Sequence, residues 1–228
     1  MTSQARTFTA LLLVTVCTLC VAATGFAGGD SSGGPPDVRT GAPGEGLCTD
    51  CHGGTVNSGD GSFGVTITPP GLVPGQDYTI TVTLGDPGQS RWGFELTALA
   101  GTDAGSEGAG VFTITDPTNT QLSDGNSNNR DYVKQTSTGT FNGTADGPVS
   151  WSFQWTAPLE PAHQVDFYVA GNAANGGGTS GDYIYTDHVT LQAVAAVPST
   201  SLYGLILLAL LLIAVSVFIM RARVAATK

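Results

Sequence analysis

The stretch "GLCTDCHGG" brings Cys48, Cys51 and His52 together, two thiols three residues apart followed at once by an imidazole. This is the C-x-x-C-H pattern. Its parts are those that covalent haem c requires: two thiols to add across the haem vinyl groups, and an adjacent imidazole to ligate iron from one face. On this reading Cys48 and Cys51 form the thioethers and His52 is the proximal ligand. The same residues could instead make a Cys48–Cys51 disulfide, a thiol redox pair or part of a zinc site. Zinc takes four ligands, and the sequence offers no second C-x-x-C or His pair. A thioredoxin-type pair belongs in a βαβ pattern, which no segment displays.

A second axial ligand is harder to name. The two methionines are Met1 and Met220, one at each end of the chain, so the common His/Met pairing is unsupported. The remaining imidazoles are His163, in "EPAHQV" just before an apolar alternation, and His188, in "YTDHVTL". His188 has the opposite parity to Val189 and Leu191, so it faces away from that apolar stripe. Each reads more simply as a surface histidine than as a distal ligand. The iron is then bis-His, through His163 or His188, or five-coordinate, and either lowers the potential relative to His/Met ligation.

Haem attachment and free thiols both depend on compartment. Arg6, an apolar run over residues 11–23 and the small residues around Phe26 read as an export signal over residues 1–27. A retained N-terminal anchor is the alternative. Cys17 and Cys20 lie inside this segment as passengers, which leaves Cys48 and Cys51 as the cysteines of the exported chain. All 18 acidic residues fall between the two apolar ends, where the basic residues are Arg39, Arg91, Arg130 and Lys134. So acidic a surface argues against nucleic acid or anionic lipid as a partner.

Residues 202–220 form a run of 19 without a charge, followed by the basic "RARVAATK" of residues 221–228. At about 1.5 Å per residue the run is long enough to cross a bilayer as one helix. The basic end then stays on the cytoplasmic side. Residues 196–201, containing Pro198, read as a linker.

Between the ends the periodicity is that of strands. Residues 28–59, holding the cysteine motif, are Gly/Pro-rich and read as an extended leader. Period-two alternation follows in Val65/Ile67, Tyr78/Ile80/Val82/Leu84, Phe94/Leu96/Ala98, Val149/Trp151/Phe153/Trp155, Val165/Phe167/Val169 and Val189/Leu191. Turn-rich stretches separate these runs, among them "TDPTNTQLSDGNSNNRD" and "GNAANGGGTSGD". The pattern predicts an all-β fold, an antiparallel β-sandwich of seven to nine strands over residues 60–195. Trp92, Phe94, Trp151, Phe153, Trp155, Phe167 and Tyr168 are the expected aromatic core or haem-facing surface. The oxygen-rich residues 124–131 lack an EF-hand's spacing and read as a solvated loop.

Two resemblances follow from these motifs. "TGAPGEGLCTDCHGG", "WGFELTAL", "WSFQWTAP" and "VDFYVAGNAANGGGTSGDYIYT" resemble, over residues 40–195, the bacterial choice-of-anchor V proteins. Those are related to the Reeler (reelin N-terminal) domain, so the resemblance implies an immunoglobulin-like sandwich on an exported, anchored protein with one c-type haem motif. "VPSTSLYGLILLALLLIAVSVFIMRAR" is similar to bacterial C-terminal sorting signals of the IPTL-CTERM and PEP-CTERM type, with Leu202 where an acidic residue is usual. Together these readings describe a membrane-anchored extracytoplasmic haem protein that passes electrons to and from redox partners. The alternative is a non-enzymatic surface or adhesion module that binds a surface ligand, with haem secondary. Neither is an enzyme; peroxidase-like chemistry would need an open distal side.

Overall fold

A computed structural model describes residues 31–103, 105–123, 129–160, 163–194 and 202–226. The expected signal segment, the linker at 196–201 and most of the loop at 124–131 lie outside the described residues. Among the described residues nine strands form two antiparallel sheets. The first has the order β1 (Ser62–Thr68), β2 (Asp77–Gly85), β7 (Val149–Thr156), β4 (Val111–Thr113). The second has the order β5 (Thr120–Ser123), β6 (Tyr132–Gln135), β3 (Arg91–Leu99), β8 (Gln164–Ala174), β9 (Tyr183–Gln192). The predicted all-β sandwich is the observed fold.

The alternation seen in sequence becomes the core. In β7, Val149, Trp151, Phe153 and Trp155 are buried while Ser150, Ser152 and Gln154 face solvent. Opposite them stand Tyr78, Ile80, Val82 and Leu84 of β2, paired in register with Trp155, Phe153, Trp151 and Val149. The second sheet contributes Trp92, Phe94, Leu96 and Ala98 from β3 and Val165, Phe167 and Val169 from β8. Trp155 meets Phe167 edge-on at 4.9 Å, and Phe94 lies 4.6 Å from Trp151 across the two sheets. Each indole N–H finds a carbonyl: Trp92 donates to Thr144, Trp151 to Gly139 and Trp155 to Ala109, at 2.8–3.0 Å. A buried tryptophan therefore leaves no unpaired donor. Tyr168 departs from the expected core set. It has the opposite parity to Phe167, is half-buried on the outer face of the second sheet, and stacks on His188.

Four elements differ from the sequence reading. Strand β5 lies inside the stretch read as a turn, and β4 and β6 are strands of three and four residues with no alternation long enough to read. Strand β8 runs on through Ala174, so the Gly-rich stretch begins as strand and turns only after it. Small residues are needed there: a Cβ at Gly171 would come within 2.6 Å of the Phe63 ring.

The outer face of the second sheet is covered. Strand β3 is buried on both faces over Phe94–Leu99, because residues 35–47 of the leader lie across it. The backbone N–H of Arg39 donates to Glu95 Oε2 at 2.6 Å, and Lys134 Nζ reaches Asp37 Oδ1 at 2.5 Å and the Pro35 carbonyl at 2.9 Å. Glu45 is buried between Arg130 and Tyr132, 2.6 and 2.7 Å from their side chains. Ion pairs and side-chain-to-backbone bonds do for the leader what a ladder does for a strand.

The second compact unit is helix α1 (Leu202–Ala226), within which Gly204–Arg221 is long and apolar enough to cross a membrane. The helix outruns the predicted span of 202–220 and takes in part of the basic end.

Candidate functional site

The leader delivers the cysteine motif to the edge of the covered face. The chain turns back on itself over residues 38–46, where Gly46 N donates to the Val38 carbonyl and Gly41 N to the Gly46 carbonyl. Gly46 is held close: a Cβ there would meet Asp50 Oδ2 at 2.1 Å. A single 3-10 turn, Cys48–Asp50, follows. The N–H groups of Cys51 and His52 both donate to the Cys48 carbonyl, at 3.2 and 2.9 Å. Cys48, Cys51 and His52 thus occupy one turn of chain.

All three side chains line a cavity of about 340 Å³ between this turn, the leader and the ends of β3 and β8. Pro35, Pro36, Leu47, Trp92 and Phe94 supply apolar walls, and Arg39, Arg91 and Asn172 the polar ones. That volume falls in the range of small-molecule and cofactor sites, roughly 300–1,000 Å³. Cys48 is half-buried, Cys51 exposed, and both are free thiols. Burial, and secondarily the Glu95 carboxylate, push the Cys48 thiol up to about 12. Glu95 itself has no exposed surface. Burial raises its carboxyl to about 8 against the opposing hydrogen bond from Arg39, and its Oε1 has no partner.

His52 is the best-fixed member of the motif. Its Nδ1 lies 2.6 Å from Asp182 Oδ2, and the Asp182 side chain is fully buried. The other oxygen, Asp182 Oδ1, accepts the backbone N–H of Asn175 at 3.1 Å, which holds the carboxylate in place. Asn172 Nδ2 stands 3.2 Å from His52 Nε2 and 3.3 Å from Nδ1. The Asn172 amide is thus within hydrogen-bond distance of Nε2 as well as beside Nδ1. The donor set fits covalent haem: two unbridged thiols on one turn, an imidazole whose Nδ1 is engaged by a buried carboxylate, and a cavity beside them.

The other two histidines are not brought to this turn. His163 is exposed just before β8, where its carbonyl accepts the Ala193 N–H. His188 shares the outer face of the second sheet, as its parity predicts, but pairs with Tyr168, four residues along β8 from Asn172. At about 3.3 Å per residue that is roughly 13 Å. Its Nε2 is 3.0 Å from Asp166 Oδ1 and its ring stacks on Tyr168 at 4.5 Å. Burial pushes Asp166 upward, but hydrogen bonds from Thr190, Gln164 and His188 outweigh it and leave that carboxyl below its usual value. Among the described residues no cluster of three or more His, Cys, Asp or Glu could hold a bare metal ion.

The residues that sequence reasoning missed are Asp182, Asn172 and Glu95. Asp182 and Asn172 sit in the stretches "GDYIYT" and "AGNAANG", which carry the family resemblance, but nothing local ties either to His52.

Residues 48–171 match the Reeler domain family, more than half of the chain. The chain belongs to the Reeler domain family. Among solved structures it is similar to the human F-spondin reeler domain, at 23% identity over 62% of this chain and 94% of that one, with a TM-score of 0.41. The Reelin-N domain of F-spondin matches at 20% identity over 64% and 95%, with a TM-score of 0.40. The major pilin SpaD of Corynebacterium diphtheriae matches at 13% identity over 57% and 35%, with a TM-score of 0.38. No curated protein matches.

Proposed function

We propose that this Reeler protein is an extracytoplasmic carrier of one covalent c-type haem, held at a membrane by α1, that passes single electrons between extracytoplasmic redox proteins. Cys48 and Cys51 would hold the group through thioethers and His52 would ligate its iron. When bound, haem supplies a one-electron iron couple, whose potential the protein sets by ligation, hydrogen bonding and burial. The chain's own part is positional. The leader's bonds to Glu95, Lys134 and Arg130 fix the turn, Asp182 fixes the imidazole, and Pro35, Pro36 and Leu47 give the cavity an apolar wall. The observation that carries the reading is the arrangement at His52, with two free thiols and an oriented ring on one turn against an apolar-walled cavity.

Expression of the full chain with a haem-attachment system tests it. The expected result is a reduced c-type absorption spectrum and a mass gain of one haem, both lost in Cys51→Ala. A wild type that gains no haem and forms a Cys48–Cys51 disulfide overturns the reading.

Family membership favours a second reading, a non-enzymatic surface module that binds a protein or glycan, since the Reeler domain is an extracellular, adhesion-type module. A haem-loaded protein that exchanges no electrons with one-electron carriers, yet binds a surface ligand, would decide for it.

A further inference from the structure

We infer that Asp182 is a positioning residue for the haem iron: it fixes His52 as the Nδ1–H tautomer, aims Nε2 at the metal, and biases the iron toward its oxidised state. The inference rests on the haem reading above and extends it from which residues attach the group to which residue sets its potential.

The geometry is that of a second-shell carboxylate. An imidazole that ligates through Nε2 needs its proton on Nδ1, and an anionic acceptor at Nδ1 both selects that tautomer and makes the ring a stronger donor. Asp182 Oδ2 stands 2.6 Å from Nδ1 with no exposed side-chain surface. Buried, it is screened less than a surface carboxylate, so its charge acts on the ring more strongly than it would in water. Its second oxygen is tied to the Asn175 N–H, so it cannot swing away without losing that bond. The neighbouring amide reinforces the assignment: Asn172 Nδ2 lies 3.2 Å from Nε2, and an N–H donor there meets an unprotonated nitrogen. With the proton on Nδ1, Nε2 carries the lone pair that iron would take in place of the Asn172 amide. A negative charge at the far side of the ligand stabilises ferric over ferrous iron, so the potential is lower than the same ligand set would give with a neutral acceptor.

The alternative is that the pair only staples the turn to β8 and β9, and two measurements separate the two roles. The first needs no haem. In the full chain held in detergent and purified without haem attachment, nitrogen-15 NMR should show the neutral form of His52 protonated on Nδ1. A dominant Nε2–H tautomer overturns the inference. The second uses the haem-loaded chain. Asp182→Asn keeps an oxygen acceptor of nearly the same shape but removes the charge. Its reduction equilibrium should move at least tenfold toward the ferrous form, which is 59 mV or more for one electron. A variant that keeps its haem, with an equilibrium unchanged within twofold, overturns the inference and leaves the haem reading standing. A wild type that takes up no haem overturns that reading, and with it the role of Asp182 at iron. Asp182→Glu should recover at least part of the shift, which a stapling role would not require.

Discussion

Glu45 and Arg130 form an ion pair at 2.6 Å with 1% and 3% of their side chains exposed, and it joins the leader to the outer face of the second sheet. Both carboxylate oxygens are used: Oε1 by Arg130 and by Tyr132 at 2.7 Å, Oε2 by the Thr40 hydroxyl at 2.5 Å. Removing one member of such a pair strands the other in a dry site, which costs about 3–5 kcal/mol. Glu45→Ala should lose that much in denaturant unfolding. Glu45→Gln combined with Arg130→Met should lose less than the sum of the two single changes, because neither charge is then left alone. A loss below about 1 kcal/mol in Glu45→Ala would mean that the leader contributes nothing to the folded domain.

Glu95 predicts an inverted pH dependence. Its carboxyl is raised to about 8 in the fold, from 4.5 in the free state, because burial penalises the charge. Between those values the unfolded chain has released a proton that the native chain retains. Stability attributable to Glu95 is therefore complete below about pH 4.5 and falls as pH rises, by up to about 1.4 kcal/mol per unit, until the native carboxyl ionises near 8. Glu95→Gln should flatten this fall, as measured by unfolding at matched ionic strength. A wild type whose stability rises through the same window, with Glu95→Gln parallel to it, would remove Glu95 as the cause.

The two thiols should react in order. Only thiolate is nucleophilic, and burial holds the Cys48 thiol up to about 12 while Cys51 is exposed. In the haem-free native chain, iodoacetamide should modify Cys51 first, and Cys48 only after unfolding. Peptide mass spectrometry after timed quenching reads the order directly, and equal rates at the two positions would contradict the packed leader.

What was legible in the sequence and what was not divides along local and distant information. The alternation of Val149, Trp151, Phe153 and Trp155 is a property of consecutive residues, so β7 and its inward face could be read from it. Strand β4, at three residues, completes less than two periods. Strand β5 is held by its pairing with β6, a partner that lies across a turn-rich stretch. Glu95 occupies a polar-out position by parity, yet it is buried because residues 35–47 cover it, and nothing near Glu95 announces that cover. The same holds at the site. The C-x-x-C-H spacing is local and visible, whereas Asp182 lies 130 residues from the His52 it holds. Sequence brought Cys48, Cys51 and His52 together; the orientation of the imidazole came from topology.

Helix α1 carries the last prediction. Its described side chains over residues 204–221 are exposed, with leucines, isoleucines and Phe218 on every side. A helix apolar all round needs a solvent other than water. Each buried methylene contributes about 0.8 kcal/mol in lipid, so Gly204–Arg221 should hold the chain firmly to a membrane. Carbonate-washed membranes should retain the full chain, and a chain ending at Ala196 should be recovered as an extracytoplasmic soluble protein. Ile213→Arg places a charge near the middle of the span, at a cost of about 2.5–3.5 kcal/mol, and should visibly reduce the retained fraction. An added charge at Ser201, outside the span, should leave retention unchanged. Full-length chain that washes off the membrane would show that α1 is covered by something other than lipid.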